Sequence, residues 1–281
     1  MYRVIGISKQ AVSQQLRRQQ LFDARVYELI AEAESLRQLH PGCGVEKMYY
    51  ALKPDFIGRD KFIEIMMDVG FRLKPQRNYR RTTYAGKIRY PNLIKGMKVA
   101  APSMVWQSDI TYIAIGNQFY YVVFIIDVYS KTIVGYQLSK TMHTQANIKA
   151  LTKALNKYSP PLIHHSDRGS QYGCKQYVGI LKQQNMKISM GLKAQENAYA
   201  ERINRTIKEE YLQHWGAKTF DQLKTHLDKA VFNYNNLRPH RHLNKLTPKT
   251  FEEKWHNDPA FKKPQILIFD DKQSLKPVNS I

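Results

Sequence analysis

Three carboxylates in this chain have the surroundings that metal-dependent chemistry on phosphodiesters requires. Asp109 interrupts the strand-like run WQSDITYIAI (106–115), Asp167 ends the apolar stretch of PLIHHSDRGSQY (161–172), and Glu201 opens the helical pattern NAYAERINRTIKEEY (197–211). A carboxylate among Trp106, Ile110, Tyr112 and Ile113 loses solvation unless it is paired, hydrogen-bonded or bound to a metal. Magnesium suits such groups, because it prefers oxygen ligands and is held by a few carboxylates together with water and substrate phosphate. Two ions about 3.5–4 Å apart can activate an attacking oxygen and stabilise a leaving one. Three carboxylates from two strands and a helix that converge on magnesium or manganese therefore imply cleavage and joining of DNA.

The elements that must position them follow from the spacing of apolar residues. From residue 101 onward, 104–115, 118–130 and 131–139 are β-rich runs joined through Gly116-Asn117 and Ser130-Lys131. An amphipathic helix near 144–158, a buried strand at 161–166, a helix near 173–184, a short strand at 187–190 and the Glu201 helix come next. A further helix at 219–237 stops at Arg238-Pro239. At 100° per residue, Ile203, Ile207 and Tyr211 share the core side of the Glu201 helix, while Glu201, Arg205 and Lys208 form a separate stripe. Asn197 is a natural N-cap for it, which leaves Glu196 on a loop with its direction loosely fixed.

Each carboxylate has an ordinary alternative. Asp109 could be an edge-strand residue facing water, Asp167 a turn residue capping Gly169-Ser170, and Glu201 with Lys208 a solvated helix face. Asp127, which ends FIID, competes with Asp109 from the neighbouring strand. His165 and Arg168 also spell the His-x-x-Arg pattern of tyrosine recombinases, but those enzymes are mostly helical and this core is strand-rich.

Upstream, 4–18 reads as the end of a helix-turn-helix, with Gly6 at the turn and Ser8 as N-cap; too few residues precede Gly6 for the motif's first helix. A second helix is expected at 21–38 and two short ones around 44–53 and 59–69, with Gly70 as a stop. From Arg72 to Lys98 inclusive there are nine basic residues and no acidic one, interleaved with Tyr79, Tyr84 and Tyr90. Such a segment suits DNA contact, Arg77, Arg80 and Arg81 neutralising phosphates and the tyrosines covering bases or sugars.

Composition agrees. A net charge of +21 on 281 residues calls for a polyanionic partner, since displaced counterions drive nucleic-acid binding. Two cysteines, Cys43 and Cys174, make no disulfide scaffold, and His40-x-x-Cys43 lacks a second ligand pair for zinc. The chain has no signal-peptide core and no apolar run of membrane-spanning length, so a cytoplasmic, nucleoid-associated protein without membrane partners is expected.

WQSDITY (106–112), HSDRGSQY (165–172), NAYAE followed by Lys208, and YNNLRPHRHLNKLTP (234–248) occur in this order. Together they resemble, over residues 40–255, the transposases of bacterial insertion sequences whose catalytic core is shared with retroviral integrases, the D,D,E group, in their second-reading-frame form. The interval from Asp167 to Glu201 is slightly shorter than is usual there, the difference falling in GLKAQE (191–196). The resemblance implies an α/β ribonuclease-H-like core, a mixed five-stranded sheet flanked by helices, preceded by a small helical DNA-binding region. The expected layout is a helix-turn-helix-like region at 1–70, a basic linker at 71–100, the catalytic core at 101–255 and a tail at 256–281. It further implies that Asp109, Asp167 and Glu201 hold two magnesium or manganese ions, with Asp127 a structural neighbour, and that Lys208, Arg202 and Arg205 grip phosphates near the scissile bond. His165 and Asn197 are expected beside the site. The expected partners are double-stranded DNA (element ends and target), further copies of this chain on DNA, and the product of an upstream reading frame. A hydrolytic ribonuclease H or junction resolvase would add a fourth carboxylate, which in ribonuclease H lies on the helix corresponding to 144–158, and that helix has no acidic residue. A non-catalytic DNA-binding protein derived from such an enzyme would have no use for all three.

Overall fold

The computed structural model describes residues 8–73 and 88–268, so Gly6, Arg77, Arg80 and Arg81 lie outside the described residues. The chain divides into two compact units, Met1–Lys74 and Pro75–Ile281.

The first unit is helical. Its α1 (Lys9–Leu39) starts at Ser8, whose side chain accepts the Ala11 N–H at 3.1 Å, as expected for an N-cap. The helix then runs without a break, so the helices expected at 4–18 and 21–38 are continuous from Lys9, while the turn expected at Gly6 falls outside the described residues. The physical reason is plain: no Gly or Pro occurs between Lys9 and Leu39 to stop it. α2 (Val45–Leu52) and α3 (Arg59–Asp68) pack against the C-terminal half of α1 through Leu29, Ala33, Met48, Phe62 and Met66. Gly70, at φ +92°, turns the chain out of α3 in a left-handed conformation that a side chain would strain.

The second unit is built on a five-stranded sheet. Its elements are β1 (Lys98–Val99), β2 (Val105–Ile115), β3 (Gln118–Asp127), β4 (Ile133–Ser139), α4 (Thr144–Leu155), β5 (Ile163–Ser166), α5 (Lys175–Gln183) and β6 (Lys187–Met190). After them come α6 (Ala198–Ile207), α7 (Gln213–Trp215), α8 (Phe220–Asn236), α9 (Pro248–Asn257) and β7 (Ile266–Leu267). The sheet order is β4-β3-β2-β5-β6, antiparallel among β2, β3 and β4 and parallel from β2 through β5 to β6. This is the ribonuclease-H-like arrangement.

β3 is buried on both faces, which is why it reads as a nearly continuous apolar run. Val122, Phe124 and Ile126 face Ile203 and Ile207 of α6 and Leu223 and Leu227 of α8. Val123 and Ile125 face the other way, onto Ala150, Leu151 and Ala154 of α4 and Tyr177 and Leu181 of α5. Gly135 on β4 permits the close approach of α4: a Cβ there would stand 2.4 Å from the Ala150 carbonyl oxygen.

The outer limits of this unit differ from expectation. β1 and β7 pair with each other, and Ile268 joins Ile94, Val99, Val105, Val128 and Phe251 in a third apolar cluster. Residues expected to end a linker and begin a tail are thus part of the packed unit, carried by the apolar run QILIF. Among the described residues no helix is long and apolar enough to cross a membrane.

Candidate active site

Strand register brings the first two carboxylates together. β2 and β5 run parallel with Ser108 opposite Ser166 as the last paired residues, and the next residue on each strand is Asp109 and Asp167. The two aspartates emerge side by side where the strands part. Asp167 Oδ1 accepts the Gly169 N–H at 2.9 Å, which fixes the start of the loop that follows.

Glu201 is delivered by a clamp between β2 and the start of α6. The buried Gln107 side chain accepts the N–H groups of Tyr199 (3.1 Å) and Ala200 (3.3 Å) through Oε1 and donates from Nε2 to the Glu196 carbonyl (3.3 Å). Gln107 therefore caps α6 from the neighbouring strand. Asn197, expected in that role, makes no side-chain cap bond; it is buried and donates instead to the Ser108 carbonyl at 3.0 Å. One turn beyond Glu201, Asn204 Nδ2 donates to Asp109 Oδ2 at 2.7 Å, so the helix and the strand are joined at the carboxylate itself.

The electrostatics couple the three carboxylates. Asp109 holds its proton well above the usual carboxylate range, first because of burial and then because of the Asp167 and Glu201 charges, against the opposing hydrogen bonds from the Ile110 N–H and Asn204. Glu201 is also pushed up, by burial and by Asp167, and Arg205 opposes the shift. Tyr172, whose hydroxyl meets Ser108 Oγ at 2.9 Å, is raised by burial and then by Asp167 and Asp109. Like charges are crowded here, a situation that bound divalent metal relieves. The donor set, three carboxylates, fits magnesium or manganese. Among the described residues, no three His, Cys, Asp or Glu side chains stand close enough to hold an ion.

The competing carboxylates are occupied elsewhere. Asp127 is buried and accepts the N–H groups of Ser103 (2.6 Å), Tyr129 (3.0 Å) and Ser130 (2.8 Å), which makes it the organiser of the β3–β4 turn. Glu196, expected to be loosely directed, is tied to its own loop by the N–H groups of Leu192 (2.5 Å) and Lys193 (3.3 Å). Glu210 forms a two-pronged pair with Arg238 at 2.7 and 2.9 Å.

The cations separate. Lys208 is half-buried, its Nζ 3.5 Å from Thr111 Oγ1 and 4.7 Å from the centre of the Tyr112 ring, and burial lowers its proton affinity. Beyond it the helix widens into a π turn, Lys208–Leu212, of a kind that recurs at functional sites. Arg205 is exposed on the Glu201 side. Arg202, also exposed, lies toward Lys131, His240 and His242, whose protonation its charge disfavours, and so sits around the helix from the site.

His165 is buried with Nδ1 at hydrogen-bond distance, 2.8 Å, from Ser189 Oγ, which also accepts the Leu93 N–H. Burial holds His165 down to about 4, and it acts as a neutral tie between β5 and β6. Gln107, Asn204 and Tyr172 were not singled out by sequence reasoning. Gln107 could have been, as a polar residue on the same strand face as Asp109, and Asn204 as a neighbour on the Glu201 stripe.

Residues 99–195 and 183–248 each match an Integrase core domain family. The chain is 35% identical over 208 residues to an insertion element IS600 31 kDa protein of Shigella sonnei, covering 71% of this chain and 76% of that one. It is 34% identical to the transposase for insertion sequence element IS904 of Lactococcus lactis, over 58% of this chain and 67% of that one. Transposase InsF for insertion sequence IS3A of Escherichia coli K12 is 30% identical, over 66% of this chain and 67% of its own. The magnesium-bound HTLV-2 integrase catalytic core domain is 20% identical, with a TM-score of 0.46 over 54% of this chain and 97% of that domain. Sheet order, family match and relatives agree: the chain belongs to the insertion-sequence transposases that carry an integrase catalytic core.

Proposed function

We propose that Asp109, Asp167 and Glu201 are the catalytic carboxylates of a two-step DNA strand transfer. The observation that carries this reading is the adjacency of Asp109 and Asp167 just past the last β2–β5 pair, with α6 clamped to the same strand by Gln107 and Asn197. Two magnesium or manganese ions held by the three carboxylates would activate the attacking oxygen and offset charge on the leaving one.

In the first step water attacks a phosphodiester at the element's end and releases a 3′-hydroxyl. That hydroxyl then attacks target DNA in line, and no protein nucleophile is required. Lys208 and Arg205 hold phosphates beside the scissile bond, where positive charge stabilises the transferring phosphoryl group. Arg202, further around α6, holds the strand away from the reacting centre. Arg77, Arg80 and Arg81 add sequence-independent contacts to the duplex. Because both ends of an element must be joined to one target, the acting form is a homo-oligomer on DNA. α4 offers no fourth carboxylate for a purely hydrolytic enzyme.

The test is a nicking and joining assay with Asp109→Asn and Asp167→Asn. Both variants should lose both reactions while binding DNA nearly as the parent does; Asp127→Asn, which loosens a turn, should retain chemistry. Strong residual joining at either Asp109→Asn or Asp167→Asn contradicts the assignment.

A further inference from the structure

Among the described residues, the β2 strand beyond Asp109 is paired on one side only, because β5 ends at Ser166. Along this stretch two aromatic rings, Tyr112 and Phe119, meet edge to face with centroids 5.4 Å apart. Cross-strand register makes them diagonal neighbours, Tyr112 standing opposite Tyr121 and Phe119 opposite Ala114. Phe119 is 44% exposed, and among the described residues neither ring belongs to any of the apolar clusters that hold the unit together. Lys208 Nζ lies 4.7 Å from the Tyr112 ring centre and bridges to Thr111. An exposed aromatic ledge thus begins three residues from Asp109 along the same strand, with the Lys208 ammonium against its Tyr112 ring.

We propose that this ledge is a stacking platform for an unpaired nucleobase of the DNA strand whose backbone lies at the carboxylates, a role that rests on the strand-transfer reading above. The occupant follows from the combination of surfaces. A flat π-face needs a flat partner, and every base offers one, whereas Lys208 supplies the charge that its attached phosphate requires. A duplex passing over the same place would keep its bases stacked inside and leave Phe119 without contact. The ledge therefore recognises separated strands at a DNA end and not fully paired DNA.

The platform is tested by binding, without divalent metal, to two probes: a duplex ending in a short unpaired 3′ strand that carries 2-aminopurine, and the same duplex fully paired. The parent protein should prefer the unpaired end and quench its 2-aminopurine. Phe119→Ala should weaken binding to the unpaired end by about tenfold, as expected for the loss of one stacked base, and leave the paired duplex unaffected. Phe119→Trp should restore both preference and quenching, which excludes a merely structural loss. Equal affinity of the parent for the two probes, or an unchanged preference in folded Phe119→Ala, overturns the platform. Asp109→Asn should keep the preference. Loss of nicking without loss of preference thus separates the chemistry of the carboxylates from the ledge, and a normal ledge assay with active Asp109→Asn overturns only the catalytic reading.

Discussion

Gln107→Ala removes the group that ties α6 to β2, and its consequences can be worked through from the bonds it makes. Truncation leaves the Tyr199 and Ala200 N–H groups in the first turn of α6 without the acceptor that now caps them. A buried donor left unsatisfied costs about 1–3 kcal/mol. Ala200 is fully buried and carries the larger share; Tyr199 is half-buried and carries the smaller, for a total of about 3 kcal/mol. The three tryptophans, Trp106, Trp215 and Trp255, all lie in the second unit, so urea unfolding followed by tryptophan fluorescence reads its stability directly. Catalysis should suffer more than stability. Glu201 sits one residue beyond the two orphaned amides, and a displacement of about 1 Å at a reacting centre lowers rate by about 10²-fold. Nicking should fall by that order at saturating DNA, with DNA affinity held. If Gln107→Ala unfolds at the parent's urea concentration and nicks at the parent's rate, the clamp is not what positions Glu201.

Two further outcomes are expected. Glu210→Gln strips the partner from an Arg238 side chain that is only 8% exposed, and should destabilise the second unit by about 3–5 kcal/mol in the same unfolding assay while the folded fraction nicks normally; a catalytic loss at unchanged stability would place Glu210 in the site. Replacing Arg77, Arg80 and Arg81 by Ala should flatten the log–log dependence of DNA affinity on salt by about 0.9 for each phosphate that is no longer neutralised, and an unchanged slope makes the segment a plain connector.

Much of this arrangement was legible in the sequence because it is local. Alternating and continuous apolar runs mark β2, β3 and β4 to within a few residues, and the stripe of Ile203, Ile207 and Tyr211 marks the buried face of α6. What could not be read is what depends on pairing between distant segments. Nothing near Asp109 tells that Ser108 will stand opposite Ser166, yet that register makes the two aspartates neighbours. Gln107 looks like an ordinary strand residue until its partners, the amides of Tyr199 and Ala200, arrive from another element. The pairing of β1 with β7 escaped for the same reason, since a two-residue strand has no period. The single α1 was a different kind of miss: a weakly amphipathic, solvated stretch was read as two helices, although no Gly or Pro stands between residues 18 and 21 to end one.

The central claim is that Glu201, not a nearby glutamate, completes the site with Asp109 and Asp167. The most direct measurement is magnesium-dependent formation of new 3′ ends on terminal-repeat DNA by Glu201→Gln and Glu196→Gln side by side. Glu196 is bound to the Leu192 and Lys193 amides of its own loop, whereas Glu201 shares its electrostatic environment with Asp167 and Asp109. The account predicts no new ends with Glu201→Gln and substantial cleavage with Glu196→Gln. Cleavage that survives Glu201→Gln and disappears in Glu196→Gln would contradict it.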